Sequence, residues 1–231
     1  MIGDRRVLGI VPARAGSLGL PGKNVRPLGG RPMIAWTLEA AQRSMTLDRL
    51  VVSTDDDTVC DVATNLGVEI VRRPPNLASA TASVVDAIEH ALTTVGDRWD
   101  YVVLLQPTSP MRASDDIDGA VALCDRRDAP SVIGVSPMPK PPGFYGRVHA
   151  DGRFVRNKPA DDEAVIINGA VYVGRPEVLL QQRTFQSEGT LVWSMPAARG
   201  WDVDTLFDFV VCEALWPHRT QAVETLGGPR R

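Results

Sequence analysis

The chain has 231 residues, 44% of them hydrophobic, enough to bury a full core. At roughly 100–200 residues per domain, with α/β folds often running longer, one domain spanning 1–231 is expected rather than two. A formal net charge of −3 without a polybasic run argues against a nucleic-acid binder, and no apolar run approaches the ~18 residues of a membrane helix.

The first expected element is a strand over 6–12. Arg5 and Arg6 precede the apolar run 7–11 as they would in a signal peptide, but Pro12 and Arg14 end that run too early for an h-region. Further strand-like runs lie at 49–53, 68–71, 101–105, 131–135, 166–173 and 190–194. Helical periodicity lies between most of them. Ile34, Leu38, Ala41 and Met45 recur at helical spacing and predict a helix over 32–45. Val84, Ile88, Ala91 and Val95 predict another, ended by Gly96. Ser114, followed by Asp115 and Asp116, reads as the N-cap of a third, with Ile117, Ala120, Val121 and Cys124 on one face.

This alternation predicts an α/β fold: a Rossmann-like, doubly wound, mostly parallel sheet covered on both faces. The run 102–105 is apolar on both faces and reads as a central strand. The pattern breaks between Pro137 and Pro159, where "RVHADGRFVR" reads as a hairpin turning at Asp151-Gly152. That antiparallel excursion, about 140–160 within a protruding segment of about 137–165, is the candidate subunit contact or lid. Cys60, Cys124 and Cys212 are odd in number, far apart and without a CxxC. They fit buried thiols of a cytoplasmic protein better than a disulfide or zinc framework. His90, His149 and His218 are equally scattered.

The chemistry concentrates after the first strand, in "GIVPARAGSLGLPGKN". Gly16, Gly19 and Gly22 do not match the G-x-G-x-x-G dinucleotide fingerprint, and Gly22-Lys23 is followed by Asn24 rather than by the Ser or Thr of a P-loop. What remains is a small-residue loop whose backbone can approach an anion, with Arg14 as a fork and Lys23 as a mobile point charge. In an open parallel sheet ligands bind beyond the carboxyl ends of the strands, and other segments point to the same end. "STD" follows one strand. "LQPTSPMR" places Gln106, Thr108, Ser109 and Arg112 at the tip of another. "NGAVY" enters a third. In "WDVD", Asp202 and Asp204 are two residues apart, so an extended backbone would direct both carboxylates toward one Mg²⁺. The competing role for Asp204 is N-cap of a helix over 205–215.

Taken together, "PARAGSLGLPGKN", "STDDD", "RRPPNLAS", "LQPTSPMR", "NGAVY" and "DVDTLFDF" stand in the order and approximate spacing of the acylneuraminate cytidylyltransferases, which the chain resembles from its first strand to about Phe209. The resemblance implies Mg²⁺-dependent transfer of CMP from CTP to the anomeric hydroxyl of a nonulosonic, sialic-type acid, with release of pyrophosphate, by a homodimer. It implies that Arg14, Lys23, Asn24 and Arg73 contact the nucleotide, with Ser17 in the same loop and Ala13 and Gly16 small enough for the pyrimidine to lie against backbone. Gln106 and Asn168 would face the sugar or lie close to it, with Lys158 near the expected basic position. Asp202 and Asp204 would hold Mg²⁺, and the catalytic group would be Arg14, Lys23, Asp202 and Asp204.

The sequence departs from the family pattern at Leu18, where a lysine is usual, at Ala80, where an acid is usual, and at Val84, where a serine is associated with the base. Two other readings follow from these departures: a nucleotidyltransferase using another nucleotide or a sugar-phosphate acceptor, and a CTP-binding relative without activity.

Overall fold

The computed structural model describes residues 2–16, 19–79, 82–157 and 164–219. Strand β1 (Val7–Pro12) alternates its side chains between two cores. Val7 and Val11 join one buried cluster while Leu8 and Ile10 join the other. A strand apolar on both faces needs cover on both, and the helices supply it.

After β1 the chain makes a two-stranded ribbon, β2 (Pro27–Leu28) and β3 (Arg31–Pro32), then α1 (Met33–Gln42), β4 (Arg49–Thr54), α2 (Asp57–Asn65) and β5 (Glu69–Arg72). These three strands run parallel, β5 beside β4 beside β1. Helix α3 (Val84–Val95) then carries the chain back to β6 (Tyr101–Leu104) on the other side of β1. The strand order therefore reverses between β1 and β6. From there follow α4 (Ser114–Arg126), β7 (Ser131–Pro137), the hairpin β8 (Gly146–Val148) and β9 (Phe154–Arg156), β10 (Val165–Gly174), α5 (Pro176–Gln182), β11 (Leu191–Ser194) and α6 (Leu206–Leu215).

The main sheet has the order β11-β7-β10-β6-β1-β4-β5, with β6 at its centre. Helices α1, α2 and α4 pack on one face through Ile34, Leu38, Val59, Ile117 and Val121. Helices α3 and α5 cover the other through Val85, Ile88, Ala91 and Leu179. The doubly wound, mostly parallel α/β architecture expected from the sequence is the architecture found. Strand β10 is the exception, antiparallel to both neighbours, because the excursion through β8 and β9 returns the chain from the opposite direction.

Three local expectations change. Helix α1 stops at Gln42 instead of reaching Met45, which is 77% exposed. The carboxylate of Asp118 draws the following residues into a turn, accepting from Ser44 Oγ (2.6 Å), Met45 N (3.0 Å) and Thr46 N (3.1 Å). Ser114 opens α4 but does not cap it: Ala113 is the N-cap, and the buried Asp116 accepts from its N–H at 3.0 Å. Asp204 does not cap α6 either. Thr205 does, in a capping box with Asp208. The hairpin forms as expected, with Val148 opposite Phe154 and Gly152 at φ 84°.

Candidate active site

A cleft of about 420 Å³ opens beyond the carboxyl ends of β1 and β6, where the strand order reverses. That crevice is where open α/β sheets take ligands, because diverging loops leave a gap with backbone groups exposed at its floor. From the loop after β1 come Arg14, Gly19, Lys23 and Asn24. Arg73 enters after β5, Ser83 and Val84 from the start of α3, and Gln106 and Thr108 after β6. Asp202 and Asp204 close the far side.

Each charged group is held by a specific contact. Arg14 donates to the carbonyl of Ser79 at 2.9 Å, and the buried Asn24 donates to the carbonyl of Arg14 at 3.2 Å, which pins the loop upon itself. The loop is anchored again where Ala15 N–H donates to Asp55 Oδ1 at 2.9 Å. Thus "STD" supports the loop from behind. Arg73 is buried to within 8% of full coverage and donates through Nε and Nη2 to the side chain and carbonyl of Ser53. Burial pushes its pKa down; Arg14 adds to that, while Asp55 opposes it.

Lys23 Nζ donates to Asp204 Oδ1 at 2.9 Å and to the carbonyl of Val203 at 3.3 Å. Asp202 is partly buried, and its Oδ1 is out of contact with solvent and without a hydrogen-bond partner. Burial holds its carboxyl above the usual carboxylate range; Thr108 and Lys23 pull it back, while Asp204 and Asp208 push it further up. An orphaned carboxylate oxygen beside a second carboxylate in one cleft fits a hard divalent cation. Among the described residues no cluster of three or more His, Cys, Asp or Glu side chains has metal-binding geometry. Water and phosphate oxygens would therefore complete the shell, as Mg²⁺ allows.

Behind the cleft, Arg112 is fully buried. It donates through Nε to the carbonyl of Ala170 (2.5 Å) and through Nη2 to that of Gln106 (2.6 Å), tying the loop after β6 to β10. Burial pushes its pKa down to about 10 against the pull of Asp116 and Asp202. Val203 N–H donates to the carbonyl of Thr108 at 2.8 Å, so the same loop also fixes the Asp202–Asp204 segment.

Of the residues singled out in the sequence, Arg14, Lys23, Asn24, Arg73, Gln106, Asp202 and Asp204 meet in this cleft. Ala13 is buried beneath it, its carbonyl accepting from Thr54 Oγ1, and Gly16 sits at φ 69° in the loop. Ser17, Lys158, Leu18 and Ala80 lie outside the described residues. Asn168 lies beside the loop after β6, its carbonyl accepting from Ser109 Oγ at 3.3 Å, but its side chain turns away from the cleft. Its amide donates inward to Ser136 Oγ (3.0 Å) and Met195 Sδ (3.3 Å), and its Oδ1 accepts from Ala170 N–H (3.0 Å). A residue at a strand irregularity must satisfy displaced backbone groups, and Asn168 does so where the β10 register shifts. Its neighbour Gly169 packs against a residue of the cleft: at φ 72°, an added Cβ would lie 2.4 Å from Gln106 Oε1. The sequence reading passed over Ser83, though a capping-box signal, Ser83 with Asp86 three residues on, marks the start of α3 there.

Fold and cleft together define an α/β protein with a polar ligand site at the topological switch point, lined by cations on one side and carboxylates on the other. Residues 8–138 match the Cytidylyltransferase family, and the chain belongs to that family of enzymes. The CMP-N,N'-diacetyllegionaminic acid synthase of Legionella pneumophila is 32% identical over 231 residues, covering 94% of this chain and 99% of that protein. The N-acylneuraminate cytidylyltransferase of Streptococcus agalactiae serotype III is 32% identical over 211 residues; the match covers 87% of this chain and 51% of that protein, so this chain spans about half its length. Among solved structures, CMP:2-keto-3-deoxy-manno-octonic acid synthetase complexed with CTP superposes with a TM-score of 0.70 at 18% identity, covering 92% of this chain and 99% of the other. At that identity the likeness is one of fold.

Proposed function

We propose that the protein transfers CMP from CTP to the anomeric hydroxyl of a nonulosonic acid, in a Mg²⁺-dependent reaction that releases pyrophosphate. One observation carries the reading: Arg14, Lys23 and Arg73 converge with Asp202 and Asp204 on a single cleft at the switch point of a cytidylyltransferase-family chain. The names of the relatives from Legionella pneumophila and Streptococcus agalactiae support a sialic-type acceptor.

In this reading the sugar hydroxyl oxygen forms a bond to the α-phosphorus of CTP while the bond from that phosphorus to the β-phosphate bridging oxygen breaks. Pyrophosphate takes the electron pair, and the hydroxyl proton passes to solvent. Such transfer needs positioning and charge neutralisation more than covalent help. Arg14 and Lys23 neutralise the departing pyrophosphate, Arg73 and Asn24 hold the nucleotide, and Gln106 orients the sugar. Asp202 and Asp204 hold the cation, which when bound neutralises charge on the phosphate oxygens.

We read the chain as one catalytic domain working in the cytoplasm as a homodimer. Among the described residues no helix is long and apolar enough to cross a membrane. The dimer reading rests on Val148, Phe154, Val155, Ile166 and Ile167, all exposed on the hairpin and the adjoining half of β10. Exposed apolar side chains on a protruding segment are what a partner subunit would cover.

The test is pyrophosphate release with Mg²⁺, offering four nucleoside triphosphates against N-acetylneuraminate, its deaminated analogue and other nine-carbon acids. Turnover with CTP and at least one acid is expected. Turnover with UTP or GTP but not CTP would overturn the nucleotide assignment, and CTP binding without turnover across the panel would overturn the activity.

A further inference from the structure

The ion pair between Lys23 and Asp204 joins two groups to which the proposed function gives opposite tasks. Lys23 is to meet phosphate and Asp204 is to meet a cation, yet they are bonded to each other at 2.9 Å. The lysine is the enclosed partner, its side chain 16% exposed against 70% for Asp204, and the carbonyl of Val203 holds it from a second side at 3.3 Å. Its charge also acts on Asp202 and Asp208. Of these three carboxylates its hydrogen bond goes to Asp204. The loop carrying the lysine is seated against that residue, since an added Cβ on Gly19 would lie 2.5 Å from the Asp204 carbonyl oxygen. Neither partner has to travel for the pair to exist; it is built into the packing of the β1 loop on the segment before α6.

We propose that Lys23 and a divalent cation are competing occupants of Asp204, and that this competition couples metal binding to nucleotide binding. The inference rests on the proposed role of Asp204. A metal binding alone must displace the lysine from its carboxylate. A triphosphate binding alone must draw the same lysine away, leaving Asp204 uncompensated. When both bind, the ion pair is broken once for two ligands: phosphate takes Lys23 and the cation takes Asp204. Each ligand then tightens the other by the same factor, because linkage is reciprocal. The protein would hold its metal weakly until nucleotide arrives, and would release both together once pyrophosphate leaves.

The sign of the effect separates this role from a purely structural one. Removing a positive charge from beside a carboxylate should strengthen cation binding, whereas general damage to the loop should weaken it. The probe is Mn²⁺ alone, followed by electron paramagnetic resonance, with wild type, Lys23→Met and Lys23→Arg. Lys23→Met should bind Mn²⁺ about two- to fivefold more tightly than wild type, in line with the modest strength of partly exposed ion pairs, and Lys23→Arg should stay near wild type. Adding CTP without sugar acid should then tighten Mn²⁺ on wild type by a larger factor than on Lys23→Met. Should Lys23→Met fail to fold, the Nζ resonance of Lys23 in wild type, assigned with Lys23→Arg, should move on addition of Mg²⁺ alone.

A folded Lys23→Met with unchanged or weaker Mn²⁺ binding would overturn the proposal while leaving the metal reading intact, and so would an Nζ resonance indifferent to Mg²⁺. Absence of Mn²⁺ binding to wild type even with CTP would instead remove the metal reading, and the proposal with it.

Discussion

Replacing Asp202 by asparagine asks what a partly buried carboxylate with one unpartnered oxygen is for. Its Oδ1 is enclosed without a hydrogen-bond partner, and burial raises its pKa, with opposition from Thr108 and Lys23. A carboxyl whose folded pKa is raised binds protons in the folded state that the unfolded chain has already lost. Stability therefore falls as pH rises from the ordinary carboxylate value through the raised one. At neutral pH the wild type carries that penalty in full, and Asp202→Asn does not. An enclosed, unmade hydrogen bond costs about 1–3 kcal/mol. With the site only partly buried and partly compensated, a gain of about 1 kcal/mol is expected, or roughly 2–4 °C in Tm for a chain of this size.

Activity should move the other way, by about 10²–10³ in kcat, the usual cost of removing one electrostatic stabiliser. The assays are thermal melting from pH 4 to 8 and pyrophosphate release. The variant should melt at or above wild type at neutral pH, with the gap closing as pH falls. Mg²⁺ with CTP should raise the Tm of wild type more than that of the variant, since a ligand stabilises only the state that binds it. A Tm several degrees below wild type, or activity within tenfold, would refute the reasoning: Asp202 would then be a structural residue.

Three further outcomes follow from other contacts. Asp118 accepts from Ser44, Met45 and Thr46, and despite the upward push of burial those hydrogen bonds hold its pKa below the usual value. Asp118→Ala should cost about 1–2 kcal/mol after allowance for solvent. Its Tm deficit should be constant above the unfolded pKa of about 3.9 and close as pH falls through the lower folded value; a deficit that persists at pH 2 would contradict this. Gly169→Ala forces a side chain into the left-handed region at about 1–2 kcal/mol and displaces the end of Gln106, while the added Cβ stays 3.5 Å from Asp202 Oδ2. KM for the sugar acid should rise several-fold with KM for CTP unchanged, and equal shifts in both would count against Gln106 as the sugar contact. Phe154→Glu, on the exposed face of β9, should convert the dimer to a monomer by light scattering with the cleft intact; a monomeric wild type would remove the dimer reading at once.

The strands and most helices were legible from periodicity alone, because alternation and helical spacing record which side chains a local element can bury. The run 102–105 read as central because it is apolar on both faces, and all four of its residues are buried. The β1 loop was legible for a related reason: small residues with two cations are a costly composition for a plain turn. The orientation of Asn168 was not legible, because its residue type fits a ligand contact as well as a strand irregularity, and only the register of β10 shows its side chain turned inward.

The sequence by itself determined the alternating α/β pattern, the winding of helices over both faces, and the chemical types gathered at the strand ends. It could not determine neighbours. That β10 enters antiparallel between β6 and β7, that Lys23 pairs with a carboxylate 181 residues away, and that Arg112 is enclosed behind Gln106 were decided by the tertiary structure. The physical reason is that burial and periodicity are properties of a segment. A charge's role depends on the partners and dielectric around it, and those exist only once distant segments are packed together.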